Sequence, residues 1–252
     1  MTRILTILAT LMVAGHLTAA AAAEIKLLTA GAMKSVIEAV LPDFEKQTGH
    51  KVTLDNATAG TLEKRILAGE TFDVAVITPG TIKTLTGAGK VMAGSTIDIA
   101  TVGIGIGVKE GAPKPDIATV DSLKKALIAA KSVAYIDPKA GGSSGIYFDK
   151  LIERLGIAEE VRAKARLMAG GYVAELVARG EVEVAIHQIS EIVPVKGVAL
   201  VGPLPKEVQN ITTYTATIAA SPRDLEAAKA LVAFLASPAT NAAIKARGME
   251  KP

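Results

Sequence analysis

Along the chain, apolar runs of strand length alternate with segments in which apolar residues recur at helical spacing. Short runs of β-branched and apolar residues have the length of strands, and each is followed by a longer run whose apolar residues recur at helical spacing. Gly, Pro, Asp or Ser separates the runs. The predicted strands are 25–28, 51–54, 72–77, 102–108, 132–136, 182–186, 198–201 and 214–218, and the predicted helices are 33–47, 62–68, 82–88, 120–130, 144–155, 172–178, 222–235 and 238–247.

Alternating strands and helices predict an α/β fold with mostly parallel sheets, because each helix carries the chain back across a sheet face. Within the strand 102–108, Gly103, Gly105 and Gly107 share one bare face. Such a face fits either a tightly packed strand or a hinge between lobes. After the Pro-rich segment 201–214 the chain can return from the second lobe to the first. We therefore predict two α/β lobes joined by crossing hinge strands, with lobe 1 formed by 24–99 and 211–252 and lobe 2 by 100–210.

The N-terminus has the pattern of a secretory signal peptide. Arg3 precedes an apolar run from Ile4 to Val13, and a small-residue tract ends with Ala21 and Ala23 in A-x-A positions. We predict a cleaved signal peptide at residues 1–23 and a periplasmic mature protein. The chain has no cysteine, so disulfides, thiol catalysis and a lipid-bearing cysteine are excluded, and we expect no membrane anchor.

Charge and aromatic content narrow the range of partners. The net charge is +3, or +2 without Arg3, and the charged residues are interspersed, so no nucleic-acid partner is expected. There is no Trp, and four Tyr and four Phe leave little for a groove that stacks bases or sugars. Beyond residue 23 the chain has two histidines, His50 and His187, so no metal or cofactor site is predicted.

The stretch 137–151 contains Gly141, Ser143 and Gly145 in the G-x-S-x-G pattern of a serine-hydrolase elbow. That elbow requires the serine directly at the strand end, whereas Ser143 lies seven residues after Ile136. His187 is a candidate base, although a partly buried structural histidine with satisfied hydrogen bonds is the favoured interpretation. A hydrolase that uses Ser143 stays open as an alternative.

A strand, a run of small residues and a helix recur in this order five times, at LLTAGAMKSV, LDNATAGTLEKRI, ITPGTIKTL, GGSSGIYFDKL and MAGGYVAELV. The start of a helix presents unpaired N–H groups and a partial positive charge. Strand ends that converge in an α/β fold would bring several such helix starts to one cleft. The pattern therefore predicts a site for an anion that is held without a charged side chain.

Four segments resemble the molybdate-binding type of periplasmic solute-binding protein: AGAMKSVIEAVLPDFEKQTG, NATAGTLEKRILAGETFDVAVITPG, AYIDPKAGGSSGIYFDKLIERLG and LVARGEVEVAIHQISEI. The resemblance implies the type II binding-protein fold, in which two lobes close around a small ligand. It also implies a monomer that delivers its ligand, chemically unaltered, to an ABC permease with its ATPase. An enzymatic activity is accordingly not expected.

The resemblance also assigns site positions. The oxyanion-binding serines of that family fall at Gly31 or Ala32 and at Ala59, so both hydroxyls are absent here. The ligand-binding tyrosine of the family falls at Gln188. The predicted donors are Thr58, Ser143, Ser144 and Gly145; Gly31, Ala32, Met33, Ala59 and Gly60 allow close approach; Tyr172 and Gln188 orient the ligand.

The implied ligand is a small anion, either a molybdate-like oxyanion or a small carboxylate. An organic solute such as an amino acid is the alternative within the same class. It calls for a basic partner, for which Lys34 and Arg65 are the nearby candidates.

Overall fold

The computed structural model describes residues 22–252, which contain nine strands and ten α-helices. The strands are β1 Glu24–Ala30, β2 Lys51–Ala57, β3 Val74–Ile77, β4 Ile97–Lys109, β5 Val133–Ile136, β6 Ala165–Met168, β7 Val184–Gln188, β8 Val198–Pro203 and β9 Ile211–Ile218. The helices are α1 Gly31–Thr48, α2 Ala59–Leu67, α3 Pro79–Gly87, α4 Val120–Ala129, α5 Ser143–Arg154, α6 Ala158–Arg162, α7 Ala174–Ala178, α8 Ile189–Ile192, α9 Leu225–Ala236 and α10 Asn241–Ala246. The predicted signal peptide lies, up to residue 21, outside the described residues.

All nine strands join in one sheet with the order β2-β1-β3-β9-β4-β7-β5-β6, and β8 pairs with β4. Pairing is parallel within each end of the sheet, where β1 lies between β2 and β3 and β5 lies between β6 and β7. It is antiparallel in the middle, where β4 and β9 join the two ends. The predicted α/β fold, with two lobes joined by crossing strands, is confirmed.

Strand β4 passes from one lobe to the other. Its residues up to Gly103 pair with β9, and those from Ile104 pair with β7, with β8 joining at Gly105. The Gln209 side chain binds the backbone at this point, since it accepts from the N–H of Ile104 and donates to its carbonyl, both at 2.9 Å. A Cβ on Gly105 would lie 2.7 Å from Cγ1 of Ile189. The strand is therefore tightly packed and also forms the crossing, whereas the predicted lobe boundaries at residues 100 and 211 stay predictions.

Both faces of each half of the sheet are covered, as parallel sheets require. In lobe 1, alternate residues of β3 point to opposite faces: Val74 and Val76 pack with α1 and α9, while Ala75 and Ile77 pack with α2 and α3. In lobe 2, α4 and α5 cover one face of the sheet, and α7 and α8 cover the other. The period of two along these strands explains why short, wholly apolar runs form central strands.

Four elements differ from the sequence prediction. Strand β6 was not predicted because its four residues are only partly buried and include the exposed Arg166, so they lack an apolar run. Helices α6 and α8 have five and four residues, too few to show a helical period. Strand β4 begins at Ile97, where two exposed residues precede the buried part of the strand.

Across residues 22–252, no single helix combines the length and the apolar composition of a membrane span, although α9 together with 238–246, bent by 56°, meets both criteria.

Candidate functional site

A cavity lies between the lobes at the carboxyl ends of the parallel strands. The volume of the cavity is about 30 Å³, and it is partly open to solvent. Its lining comes from lobe 1, lobe 2 and β9: Ala30, Gly31, Ala32, Asn56, Ala57, Thr58, Ala59, Ile136, Gly142, Ser143, Ser144, Gly170, Gly171, His187, Glu191 and Tyr214. Four of the five predicted small-residue loops thus meet at one place, whereas the loop that starts α3 contributes no lining residue.

Two long helices, one in each lobe, begin at this cavity without a side-chain cap. Helix α1 follows Ala30 and helix α5 follows Gly142, and neither preceding residue has a side-chain acceptor for the first N–H groups. In α2 the side chain of Thr58 accepts from the N–H of Thr61 at 3.1 Å. The positive ends of helices from both lobes therefore face one space, which favours a negatively charged ligand.

The lobes are in direct contact at one edge of the cavity. The N–H of Gly60 donates to the carbonyl of Gly141 at 3.1 Å. The hydroxyl of Thr58 donates to the carbonyl of Ala140, and that of Thr61 donates to the same carbonyl at 3.3 Å. These hydrogen bonds hold the lobes together, so the hydroxyl of Thr58 binds the opposite lobe and is not free for a ligand.

The predicted site residues divide into two groups. Those that line the cavity are Gly31, Ala32, Thr58, Ala59, Ser143 and Ser144. Those behind or beside the lining are Met33, Gly60, Gly145, Tyr172 and Gln188. Met33 is fully buried in the core of lobe 1, and a Cβ on Gly145 would lie 2.1 Å from the carbonyl oxygen of Ile136. The ring of Tyr172 lies 5.9 Å from Nζ of Lys34, on the neighbouring lobe.

The buried side chain of Gln188 fixes the position of Ser143. Its Nε2 donates to Oγ of Ser143 and to Oγ1 of Thr212, both at 3.0 Å. Oη of Tyr214 lies 3.4 Å from the same Ser143 oxygen. Burial raises the pKa of Tyr214, so the phenol stays protonated. Neither an amide nor a protonated phenol can accept the proton of the Ser143 hydroxyl, which makes Ser143 a poor nucleophile and a suitable hydrogen-bonding group.

His187 and Glu191 form a buried pair at the same cavity. Nε2 of His187 lies 3.2 Å from Oε2 of Glu191, and the side chains are 2% and 9% exposed. Nδ1 of His187 has no hydrogen-bond partner among residues 22–252. Burial lowers the pKa of His187 and raises that of Glu191. Burial therefore favours the uncharged form of the pair, in which the carboxyl can donate a hydrogen bond to an anion.

Gly31 leaves room for the carboxyl group of Glu191. A Cβ on Gly31 would lie only 2.5 Å from Oε1 of Glu191. Residue 31 is one of the two candidate positions, with Ala32, for the first oxyanion-binding serine of the molybdate-binding type. Here the carboxyl of Glu191 occupies the space that such a side chain would need.

Sequence reasoning did not single out Glu191, Tyr214 or Asn56 as site residues. Glu191 follows His187 by four positions, but α8 contains only four residues, so the sequence shows no helical period there. A single acid after an apolar run has the same pattern as an acid on the surface. Tyr214 lies within an apolar strand and looks like a core residue until the second lobe is in place. No group of three or more metal-ligating side chains occurs within the described part of the chain.

A family model for the bacterial extracellular solute-binding proteins matches residues 25–250. The chain is 33% identical over 229 residues to an aconitate isomerase of Pseudomonas sp, and the match covers 88% of this chain and 86% of that protein. It is 28% identical over 238 residues to the molybdate-binding protein ModA of Azotobacter vinelandii, with 91% of each chain covered.

Solved structures share the fold. A periplasmic molybdate-binding protein of Azotobacter vinelandii has a TM-score of 0.75 at 19% identity, covering 90% of this chain and 99% of that chain. The sulfate-binding protein SubI of Mycobacterium tuberculosis has a TM-score of 0.72 at 18% identity, covering 91% and 87%. At these identities the likeness concerns the fold alone.

Proposed function

The chain belongs to the bacterial extracellular solute-binding protein family, and on this premise we propose that it binds a small carboxylate anion in the cavity between its lobes. One observation carries the proposal: the uncapped starts of α1 and α5, on different lobes, face the same cavity. A ligand that touches both helix starts favours the closed arrangement of the lobes, because it binds that arrangement better than the open one.

Backbone donors alone are strong enough for this role. No Lys or Arg is among the residues that line the cavity in the described part of the chain. A hydrogen bond to a charged group contributes about 1.5–3 kcal/mol. Four or five of them match micromolar affinity, which corresponds to about −8 kcal/mol.

A carboxylate fits the lining better than a molybdate-like oxyanion. The two serine positions of the molybdate-binding type are occupied by small residues without hydroxyls, Gly31 or Ala32 and Ala59. In their place the neutral carboxyl of Glu191 offers one hydrogen-bond donor. The relative at 33% identity bears the name of an enzyme that acts on a tricarboxylate, which supports the same ligand class.

In the cell, the proposed role is that of the solute-binding component of an ABC importer. The protein would be a periplasmic monomer without a membrane anchor that delivers its anion to a permease with its ATPase. The predicted signal peptide and the periplasmic binding proteins among its relatives support this role.

Thermal-shift and calorimetric titrations of residues 24–252 test the binding function. The panel pairs molybdate, tungstate, sulfate and phosphate with succinate, citrate, cis-aconitate and trans-aconitate. A ligand present at a hundredfold its Kd adds about 2.7 kcal/mol, which moves the Tm of a chain of this size by about 5–10 °C. We expect that shift from a carboxylate, and a shift from the oxyanions alone would reject the carboxylate assignment.

A second function is favoured by a specific observation. His187 and Glu191, an acid–base pair, line the cavity in which the ligand is proposed to lie. Together with the aconitate isomerase among its relatives, the pair supports an isomerase that acts on an unsaturated carboxylate. Incubation of each aconitate isomer with catalytic amounts of protein, followed by NMR, separates turnover from stoichiometric binding.

A further inference from the structure

We propose that His187 and Glu191 are the catalytic residues of such an isomerase and move a proton between two carbons of an unsaturated carboxylate, a role that rests on the proposed binding function. Both side chains line the cavity. Both project from the end of one strand and the start of the next helix, β7 and α8, so the backbone fixes their separation. The 3.2 Å contact between Nε2 and Oε2 allows a proton to pass directly from one to the other.

The proton transfers balance with His187, Glu191 and the ligand alone. Neutral His187 accepts a proton from an allylic C–H of the ligand, and the electron pair that remains is delocalised over the double bond and the adjacent carboxylate. Glu191 donates its proton to the carbon at the other end of the allylic unit, so that the double bond moves by one position. The imidazolium of His187 then returns its proton to the carboxylate of Glu191. Substrate and product have the same formula, and no co-reactant is needed.

The charges around the pair suit this step. The carbanion places negative charge on a ligand carboxylate, and the N–H groups that start α1 and α5 are directed at the same cavity, where they stabilise developing negative charge. Burial keeps His187 unprotonated and Glu191 protonated, because it lowers the pKa of the first and raises that of the second. Each residue thus begins in the form that its role requires.

Two features distinguish this role from packing alone. Nδ1 of His187 is buried without a partner among the described residues, which is costly for a purely structural side chain. Gly31 is the residue that lets the carboxyl of Glu191 reach the cavity wall, since a Cβ there would lie 2.5 Å from Oε1. A structural pair would not require a gap at the start of a helix in the other lobe.

The test measures binding and turnover separately, with cis-aconitate and trans-aconitate as probes. Calorimetry gives the Kd, and ¹H NMR in D₂O gives both the interconversion of the isomers and the exchange of carbon-bound hydrogen for deuterium. We expect Glu191→Gln and His187→Gln to slow both processes by about 10²–10⁴-fold, the usual contribution of general acid–base catalysis. Their Kd should change by less than about tenfold.

Ser190→Ala is the matched control, because Ser190 lies on the same helix, is fully buried and has no hydrogen-bond partner for its hydroxyl among residues 22–252. It should retain the Kd and the turnover. If Glu191→Gln or His187→Gln fails to fold, Gly31→Ala serves instead, since its Cβ displaces the carboxyl of Glu191. Full turnover in Glu191→Gln or His187→Gln, or tight binding by the wild type without isomerisation or exchange, overturns the catalytic role and leaves the binding function intact. Absence of binding by the wild type overturns both.

Discussion

The Cα atoms of Gly60 and Gly141 face each other across the closed cleft so closely that neither residue has space for a side chain. A Cβ on Gly60 would lie 2.8 Å from Cα of Gly141, and the N–H of Gly60 donates to the Gly141 carbonyl at 3.1 Å. The contact joins lobe 1 to lobe 2 through backbone atoms alone, which cannot move aside as a flexible side chain can. Closure of the cleft therefore depends on two glycines that never need to touch the ligand.

Gly60→Ala should weaken ligand binding because the closed lobes must be held apart. Overpacking of this kind costs about 1–3 kcal/mol, which corresponds to a loss of affinity of about 5- to 150-fold. Calorimetric titration with the best carboxylate of the panel measures the loss. Gly80→Ala is the control, since a Cβ at Gly80 in α3 meets no atom within 4 Å. Equal affinity in the two variants would contradict the proposed contact during binding.

Gly31→Ser should lower the Tm, although it places a hydroxyl at one of the two candidate positions for the first serine of the molybdate-binding type. The new side chain would collide with Oε1 of Glu191, which is buried and cannot move into solvent. The double variant Gly31→Ser with Glu191→Ala removes the collision and should recover the Tm lost in the single variant. A single variant as stable as the wild type would show that the carboxyl of Glu191 lies elsewhere.

Ser144→Ala should weaken binding with little effect on stability. Ser144 lines the cavity at the start of α5, where its hydroxyl adds a donor beside the free N–H groups. Loss of one hydrogen bond to a charged ligand corresponds to about 1.5–3 kcal/mol. An unchanged Kd in a titration would remove this hydroxyl from the site.

Gln188→Met should lower both stability and affinity. The variant removes the donor shared by Ser143 and Thr212, and a lost buried partner costs about 1–3 kcal/mol of unfolding free energy. Ser143 is then free to rotate, which weakens the ligand contact. Gln209→Met is the matched control: it removes an amide that binds Ile104 at the crossing strand, so urea denaturation should show reduced stability while the Kd is retained.

Asp73 should make the stability of lobe 1 depend on acid pH. It is buried and accepts hydrogen bonds from the N–H of Lys26 at 2.7 Å and from Nη2 of Arg223 at 2.6 Å. Burial alone would raise the pKa of Asp73, but the hydrogen bonds outweigh it and hold the pKa below its usual value. The stabilisation is therefore complete above the unfolded value, about 3.9, and is lost as the pH falls through the lower folded value.

The measurement for Asp73 is urea denaturation at a series of pH values. We expect Asp73→Ala to lose about 1–3 kcal/mol at neutral pH, because backbone donors are left without an acceptor. The difference between wild type and variant should shrink toward acid pH. A difference that grows instead would mean that Asp73 is protonated in the folded protein.

The fold was predictable because its signals are local. Val74 to Ile77 is an apolar run of strand length. Helices cover both faces of this strand, and the helical spacing of their own apolar residues predicts them as well. The convergence of four small-residue loops was predictable as well, since strand ends in an α/β fold share an edge.

The chemistry of the site was less predictable because it depends on contacts between distant segments. Glu191 acquires its uncharged form only through burial against the other lobe, and no sequence pattern distinguishes it from a surface acid. Tyr214 becomes a cavity residue only because β9 lies next to β4, the strand that passes between the lobes. Thr58 has the sequence of a ligand donor, yet its hydroxyl binds the carbonyl of Ala140 on the other lobe.

Strand β4 contributes backbone hydrogen bonds to both lobes without a break between them. If one lobe melted, β4 would become an unpaired edge strand of the other lobe, so neither lobe is a self-sufficient folding unit. Heating should therefore give one cooperative unfolding transition, and a ligand held by the cleft protects the whole molecule from denaturation.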